Sequence, residues 1–238
     1  MIFPMQKVLP LSFPGESTDT ITNKIPDLGP LHLHICEGID FTTEHQLPVV
    51  QPEIVSPPSE IQAFYRLKGR SDIEKKNAFG HFYTPDKNIE RVWSNPHSFI
   101  IMFRKFGAIL SPDFSLLTNM LEIQRLWNDF RNKLLAAFYQ KWNVTVVASP
   151  SWSSDMKNIQ RYMEGWPHNS IIAINSTGVC RDKRSRYIWL DGYHAMLSIL
   201  QPSHILRYGG MIEGEEKEIS TFYTNNNKVV YYGRKRFV

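Results

Sequence analysis

The stretch from Phe106 to Ser149 restricts the fold more than any other. A short apolar run, Ala108-Ile109-Leu110, stops at Ser111-Pro112; one long amphipathic segment then reaches Trp142, and Val144-Thr145-Val146-Val147-Ala148 forms a second, β-branched run. Strand, helical spacing and strand in that order predict a βαβ unit. Leu116, Met120, Ile123, Trp127, Phe130, Leu134 and Phe138 recur every three or four residues, which predicts one apolar helix stripe lying on a sheet. Two strands joined this way run parallel, because the crossover returns the chain to the same end of the sheet.

The unit repeats on both sides. Upstream, the aromatic run Ala78 to Thr84 reads as a strand, and Asp86 reads as the N-cap of a helix beginning near Asn88. Downstream, Met156, Ile159 and Met163 share a helix face before the strand run Ser170 to Ile174. A helix carrying Trp189, Tyr193, Met196, Leu197 and Leu200 follows, then a strand at His204 to Tyr208. Ile219 to Tyr223 and Val229 to Tyr232 predict a hairpin around Asn225-Asn226-Asn227, with a basic tail at Arg234-Lys235-Arg236. The fold class is therefore α/β: repeated βα units with a mainly parallel sheet, either an open sheet or an incomplete irregular barrel.

Residues 1–60 hold nine of the fifteen prolines and read as a Pro-rich N-terminal arm. Residues 61–238 read as a single α/β domain ending in the hairpin. Between them, Glu60 to Lys76 is densely charged and reads as a solvated connection. In Leu31 to Cys36 the side chains alternate, so a strand would put His32, His34 and Cys36 on one face. The same spacing suits an ordinary half-exposed strand, and no metal site is assigned.

Two cysteines about 140 positions apart make neither a disulfide framework nor a Cys-x-x-Cys zinc pair. A net charge of +4 permits a polyanionic partner without requiring one. No apolar run approaches the roughly 18 residues of a membrane span, and the N-terminus lacks a basic-then-apolar leader. A cytoplasmic protein is expected, with no membrane partner. No cofactor and no oligomeric state can be read.

In any parallel α/β sheet, ligands gather at the carboxyl ends of the strands, where loops converge and helix N-termini point inward. Asp86 and Asp113 are the carboxylates there that can act as general acid or base; the alternative is that both are N-caps. Ser115 and Ser149 have no evident activating histidine. Gln124, Asn128 and Arg131 form a polar stripe that suits the solvent face of the long helix. Trp152 can stack on a base or sugar, or simply cover the core. The Asn175-Ser176-Thr177-Gly178 loop and Tyr208-Gly209-Gly210 can approach an anion with their amides, with Arg181 and Lys183 as counter-charge. Neither loop is a Walker or dinucleotide fingerprint.

Several of these residues also carry a family resemblance. Gly80-His81-Phe82-Tyr83 with Asp86, Ile89 through Pro96, Leu110-Ser111-Pro112-Asp113-Phe114-Ser115-Leu116, the Gln124, Trp127-Asn128 and Arg131 spacing, Ser151-Trp152, Asp191-Gly192-Tyr193 and Tyr208-Gly209 resemble domain of unknown function 4417. That uncharacterised family is carried by phages, prophages and plasmids. It implies a mobile-element setting but no reaction, cofactor or catalytic residue. The expectation is a phage or mobile-element protein that binds a nucleotide or nucleic-acid phosphate at the strand ends, with hydrolysis as a further capacity. The alternative is a non-enzymatic module that binds or inhibits a host protein, in defence, counter-defence or replication takeover.

Overall fold

The computed structural model describes residues 29–179, 182–223 and 229–231. Arg181, Asn225 to Asn227 and the Arg234-Lys235-Arg236 tail, all singled out above, lie outside them. The elements follow the repeating pattern: β1 (Glu60–Ala63), α1 (Phe64–Leu67), α2 (Asp72–Lys76), β2 (Ala78–His81), α3 (Asp86–Ser94), α4 (Ile100–Phe103) and β3 (Ala108–Leu110). The chain continues with α5 (Glu122–Lys141), β4 (Val146–Val147), α6 (Ile159–Met163), β5 (Ile171–Asn175), α7 (Lys183–Leu200), β6 (His204–Tyr208), β7 (Ser220–Tyr223) and β8 (Val229–Tyr231).

Strands β1 to β4 form one parallel sheet, in sequence order. Strands β5 to β7 are also parallel, and β8 pairs antiparallel with β7 as the expected hairpin. A single parallel bridge, Ala148 to Ile172, joins the two sheets. In a flat sheet β2 and β6 would stand about 19 Å apart, four strand spacings. Instead the His81 and Tyr208 rings are 4.6 Å apart, so the sheets curl around a shared interior. Ile61, Phe79, Leu110, Val147, Ala173, Leu206 and Tyr223 fill that interior from seven strands. The barrel is not closed: β1 and β8 end the two sheets unpaired with each other among the described residues. Across the gap, Tyr223 Oη donates to the Pro58 carbonyl at 2.9 Å.

The opposite faces of the strands pack under the helices in a second, larger core. The arm residues near Pro48 to Glu53 run past the amino ends of the strands. There Val50 N donates to Gly165 O, and Glu53 Oε1 accepts from Val146 N.

Three local expectations need correction. Glu60 to Ala63 is the edge strand of the first sheet, not part of a solvated connection; its pairing with β2 overrides the charged flanks. Leu31 to Cys36 is two short 3₁₀ segments with His32 in the left-handed region, so His32, His34 and Cys36 share no strand face. Helix α5 begins at Glu122, after Leu116 and Met120, and Ile123 on the expected apolar stripe is 69 % exposed.

Candidate functional site

Helix α5 explains how the carboxyl-end loops are held. Of the expected polar stripe Gln124 is exposed but Asn128 and Arg131 are buried, as is Asn132 beside them, so most of that face does not meet solvent. Asn132 grips the backbone of Phe114 from both sides: its Oδ1 accepts from Phe114 N at 2.7 Å, and its Nδ2 donates to Phe114 O at 3.3 Å. Asn128 Nδ2 donates to Ser115 O at 2.7 Å. The Arg131 guanidinium lies 3.6 Å over the Phe114 ring, donating to Asn128 Oδ1 and Glu90 Oε1. The Asn128 and Asn132 contacts answer backbone groups of Phe114 and Ser115 that would otherwise lack a partner. The Ser111-Pro112-Asp113-Phe114-Ser115 turn is therefore clamped, and with it the direction of Asp113.

Asp86 is the first residue of α3, with Pro85 as the cap, and makes no side-chain capping bond. Its carboxylate instead accepts from Ser115 N at 3.2 Å and Ser115 Oγ at 2.9 Å, tying the ends of β2 and β3 together. Asp113 is half-buried. Loss of water pushes its carboxyl up to about 7; a hydrogen bond with Ser151 opposes this and the nearby charge of Asp86 adds to it.

Beside this pair the mouth is lined with rings and hydroxyls. Tyr83 Oη lies 2.8 Å from Ser149 Oγ. Burial raises the Tyr83 phenol further above its ordinary range, so it stays protonated. Ser149 N donates to Ser111 Oγ at 2.8 Å. His81 Nδ1 accepts from Tyr83 N at 3.0 Å, which places the imidazole proton on Nε2. Burial lowers His81 to about 3, so the ring is neutral. The Tyr83 and Tyr208 rings are 5.4 Å apart, completing a three-ring wall with His81. Strand alternation puts residues 81 and 83 on one side of the chain, but only the curvature turns that side toward Tyr208. The exposed Arg66, just after β1, supplies the positive charge felt by His81 and Tyr208.

The structure thus brings Asp86, Asp113, Ser115 and Tyr208 into one mouth, and adds Tyr83, His81, Ser149 and Ser151. On its far side Gly209, at φ +101°, lets the chain pass Ser176: a Cβ there would sit 2.9 Å from Ser176 Oγ. Two amides of the Asn175 to Gly178 loop already have acceptors. Ser176 N donates to Tyr208 O and Thr177 N to Asn175 Oδ1, while Thr177 and Gly178 are exposed. Lys183 opens α7 and is exposed, and Asp182 caps that helix through Arg184 N and Ser185 N. Trp152 packs flat on α7, where a Cβ on Gly192 would lie 2.1 Å from its Nε1.

The family described as "Domain of unknown function (DUF4417)" matches residues 40–226. The chain belongs to the DUF4417 family. It is also similar to the "Gene 1 protein" of Mycobacterium phage L5, with 27% identity over 83% of this chain and 88% of that protein. A second "Gene 1 protein", from Mycobacterium phage D29, is 26% identical over 79% of this chain and 72% of its own length. No solved structure matches. The DUF4417 chain is thus a phage-type protein. Among its described residues no helix is long and apolar enough to cross a membrane.

Among the described residues of this DUF4417 protein, the group spaced for a cation does not include His32, His34 or Cys36. Glu44, His45 and Glu164 offer ligand atoms within 4.8 Å of one another. His45 Nδ1 already lies 2.5 Å from Glu164 Oε2, which holds the arm to the loop after α6 without any ion.

Proposed function

We propose that this DUF4417 protein binds a nucleotide, or the phosphate-bearing end of a nucleic acid, at the carboxyl mouth, with Asp113 and Asp86 as acid and base. One observation carries the reading: a carboxyl titrating near neutrality on a turn clamped by α5. Such a group can both give and take a proton under physiological conditions. His81 and Tyr208 are buried behind the half-buried Tyr83, whose ring is the one of the three that can meet a planar ligand, and Arg66 offers a cation at the rim. Ser115 holds Asp86 in register. Lys183, exposed at the start of α7, would meet phosphate through side-chain charge, since the Ser176 and Thr177 amides are engaged.

A thermal-shift series on wild type and Asp113→Asn tests this, using nucleotides, short RNA and DNA at low and high salt. A nucleotide at 100 times its dissociation constant should add about 2.7 kcal/mol of stability, and the variant should respond differently. Stabilisation by long polyanions alone, vanishing with salt, would sink the mouth as the site. The second reading, a non-enzymatic module for a host protein, draws on exposed Leu117, Leu121 and Ile123 beside the clamped turn. A mapped partner contact there, with no response to any nucleotide, would favour it.

A further inference from the structure

Where the arm meets the loop after α6, a second group of polar side chains gathers. Phe41 and Pro48 form an antiparallel bridge, Thr42 N donates to Leu47 O at 2.9 Å, and Leu47 N donates back to Thr42 Oγ1 at 3.0 Å. Residues 42–47 are thereby closed into a tight turn. Gly165, at φ +83°, passes so close beneath it that a Cβ there would lie 2.5 Å from Pro48 O. The turn carries Glu44 and His45 and is seated directly on the loop that carries Glu164.

Glu164 follows the last residue of α6. Burial pushes its carboxyl upward, but hydrogen bonds from Thr42 and His45 outweigh this and hold it below the usual carboxylate range. An ionised carboxylate only accepts hydrogen bonds. Glu164 Oε1 takes one from His45 N at 3.2 Å, and Oε2 lies 2.5 Å from His45 Nδ1. The neutral ring therefore keeps its proton on Nδ1, and Nε2 carries the lone pair. Among the described residues Nε2 makes no hydrogen bond. Glu44 Oε1 stands 4.0 Å from it, on a side chain that is 80% exposed.

A carboxylate that fixes the ring and tautomer of a histidine while its other nitrogen faces outward is the arrangement that orients a metal-ligating imidazole. We propose that His45 Nε2 and the Glu44 carboxylate hold a divalent transition cation of the zinc class, with Glu164 as the positioning residue behind His45. Two donors about 2.1 Å from a tetrahedral ion stand roughly 3.4 Å apart, so the exposed Glu44 has only about 0.6 Å to close. An imidazole with a carboxylate suits Zn²⁺, whereas Mg²⁺ and Ca²⁺ take oxygen ligands. Water completes the coordination, so the ion exchanges readily. Its two ligands belong to one arm turn, and through Glu164 it strengthens the hold of that turn on the loop after α6.

The test titrates the untagged, chelator-treated full chain with Zn²⁺, Co²⁺ and Mg²⁺, reading heat by calorimetry and the visible absorption of Co²⁺. Wild type is expected to bind Zn²⁺ and Co²⁺ and to ignore Mg²⁺. Glu44→Gln and His45→Gln should lose this binding, and Glu164→Gln should weaken it about 10- to 100-fold. Glu44 makes no hydrogen bond among the described residues, so Glu44→Gln should melt like wild type in the absence of metal, and its lost binding is then not a loss of fold. No uptake of Zn²⁺ by wild type overturns the proposal and leaves His45 as a plain hydrogen-bonded link between arm and body. Zn²⁺ binding that either Glu44→Gln or His45→Gln leaves unchanged also overturns it, because the ion then sits on other side chains.

Discussion

Two buried polar groupings share helix α5, and they are built on opposite rules. On the side facing α6, charges meet their opposites. Lys133 Nζ lies 2.5 Å from Asp129 Oδ1 with both side chains inaccessible, and Arg125 Nη2 lies 3.0 Å from Asp155 Oδ2, which also accepts from Tyr162 Oη. On the side facing the mouth, Asp113 meets a hydroxyl and the charge of another carboxylate. Burial raises both Asp129 and Asp113. Lys133 opposes the rise at Asp129, whereas Asp86 adds to it at Asp113. The seam pairs buried charges with their opposites, whereas at the mouth burial and a like charge both push a carboxyl upward.

Breaking the seam should have the largest effect. Lys133→Met leaves Asp129 buried without its cation and should cost about 3–5 kcal/mol in chemical denaturation. Lys133→Met with Asp129→Leu should recover most of that loss; a single variant as stable as wild type would show that the pair does not hold α5 to α6.

Releasing the clamp comes next. Asn132→Ala removes both side-chain partners of the Phe114 backbone and should cost roughly 1–3 kcal/mol. It should also weaken nucleotide stabilisation, because Asp113 precedes Phe114. Unchanged ligand response in a destabilised variant would separate the clamp from the mouth.

The comparison is sharpened by pH. The folded-state pKa of Asp113 is raised from 3.8 to about 7, so the native chain holds this proton where the unfolded chain has lost it. The resulting stability is present in acid and fades as pH rises toward and through 7. Asp113→Asn lacks this dependence, so its melting temperature should gain on wild type between pH 4 and 8. A constant gap across that range would contradict the raised carboxyl. Smallest of all, Lys157→Ala breaks a solvent-exposed pair with Glu122 and should leave the unfolding midpoint in place.

Much of the fold was legible because its signals are local. Strands β2 to β6 and helices α3, α5 and α7 follow from apolar periodicity, and Asp86 and Asp113 follow from the rule that strand ends hold ligands. Strand β1 was hidden: only Ile61 and Ala63 are apolar in Glu60–Ala63, and its strand state comes from pairing along its length with β2. His81 and Tyr83 look like ordinary strand aromatics, since nothing near them in the chain announces Tyr208, more than 120 residues away. Asn128 and Arg131 read as part of a solvated stripe because helical spacing says which side chains share a face, not what the face meets.

The amino-acid sequence by itself therefore determined the order of strands β2 to β8 and the parallel sense of β2 to β6, consequences of short-range patterning. Tertiary structure alone decided the curvature that joins β2 to β6, the turning of a polar helix face onto the Asp113 turn, and the proton held there. Each of those depends on summed strand twist, distant packing and loss of water, which no local window of residues contains.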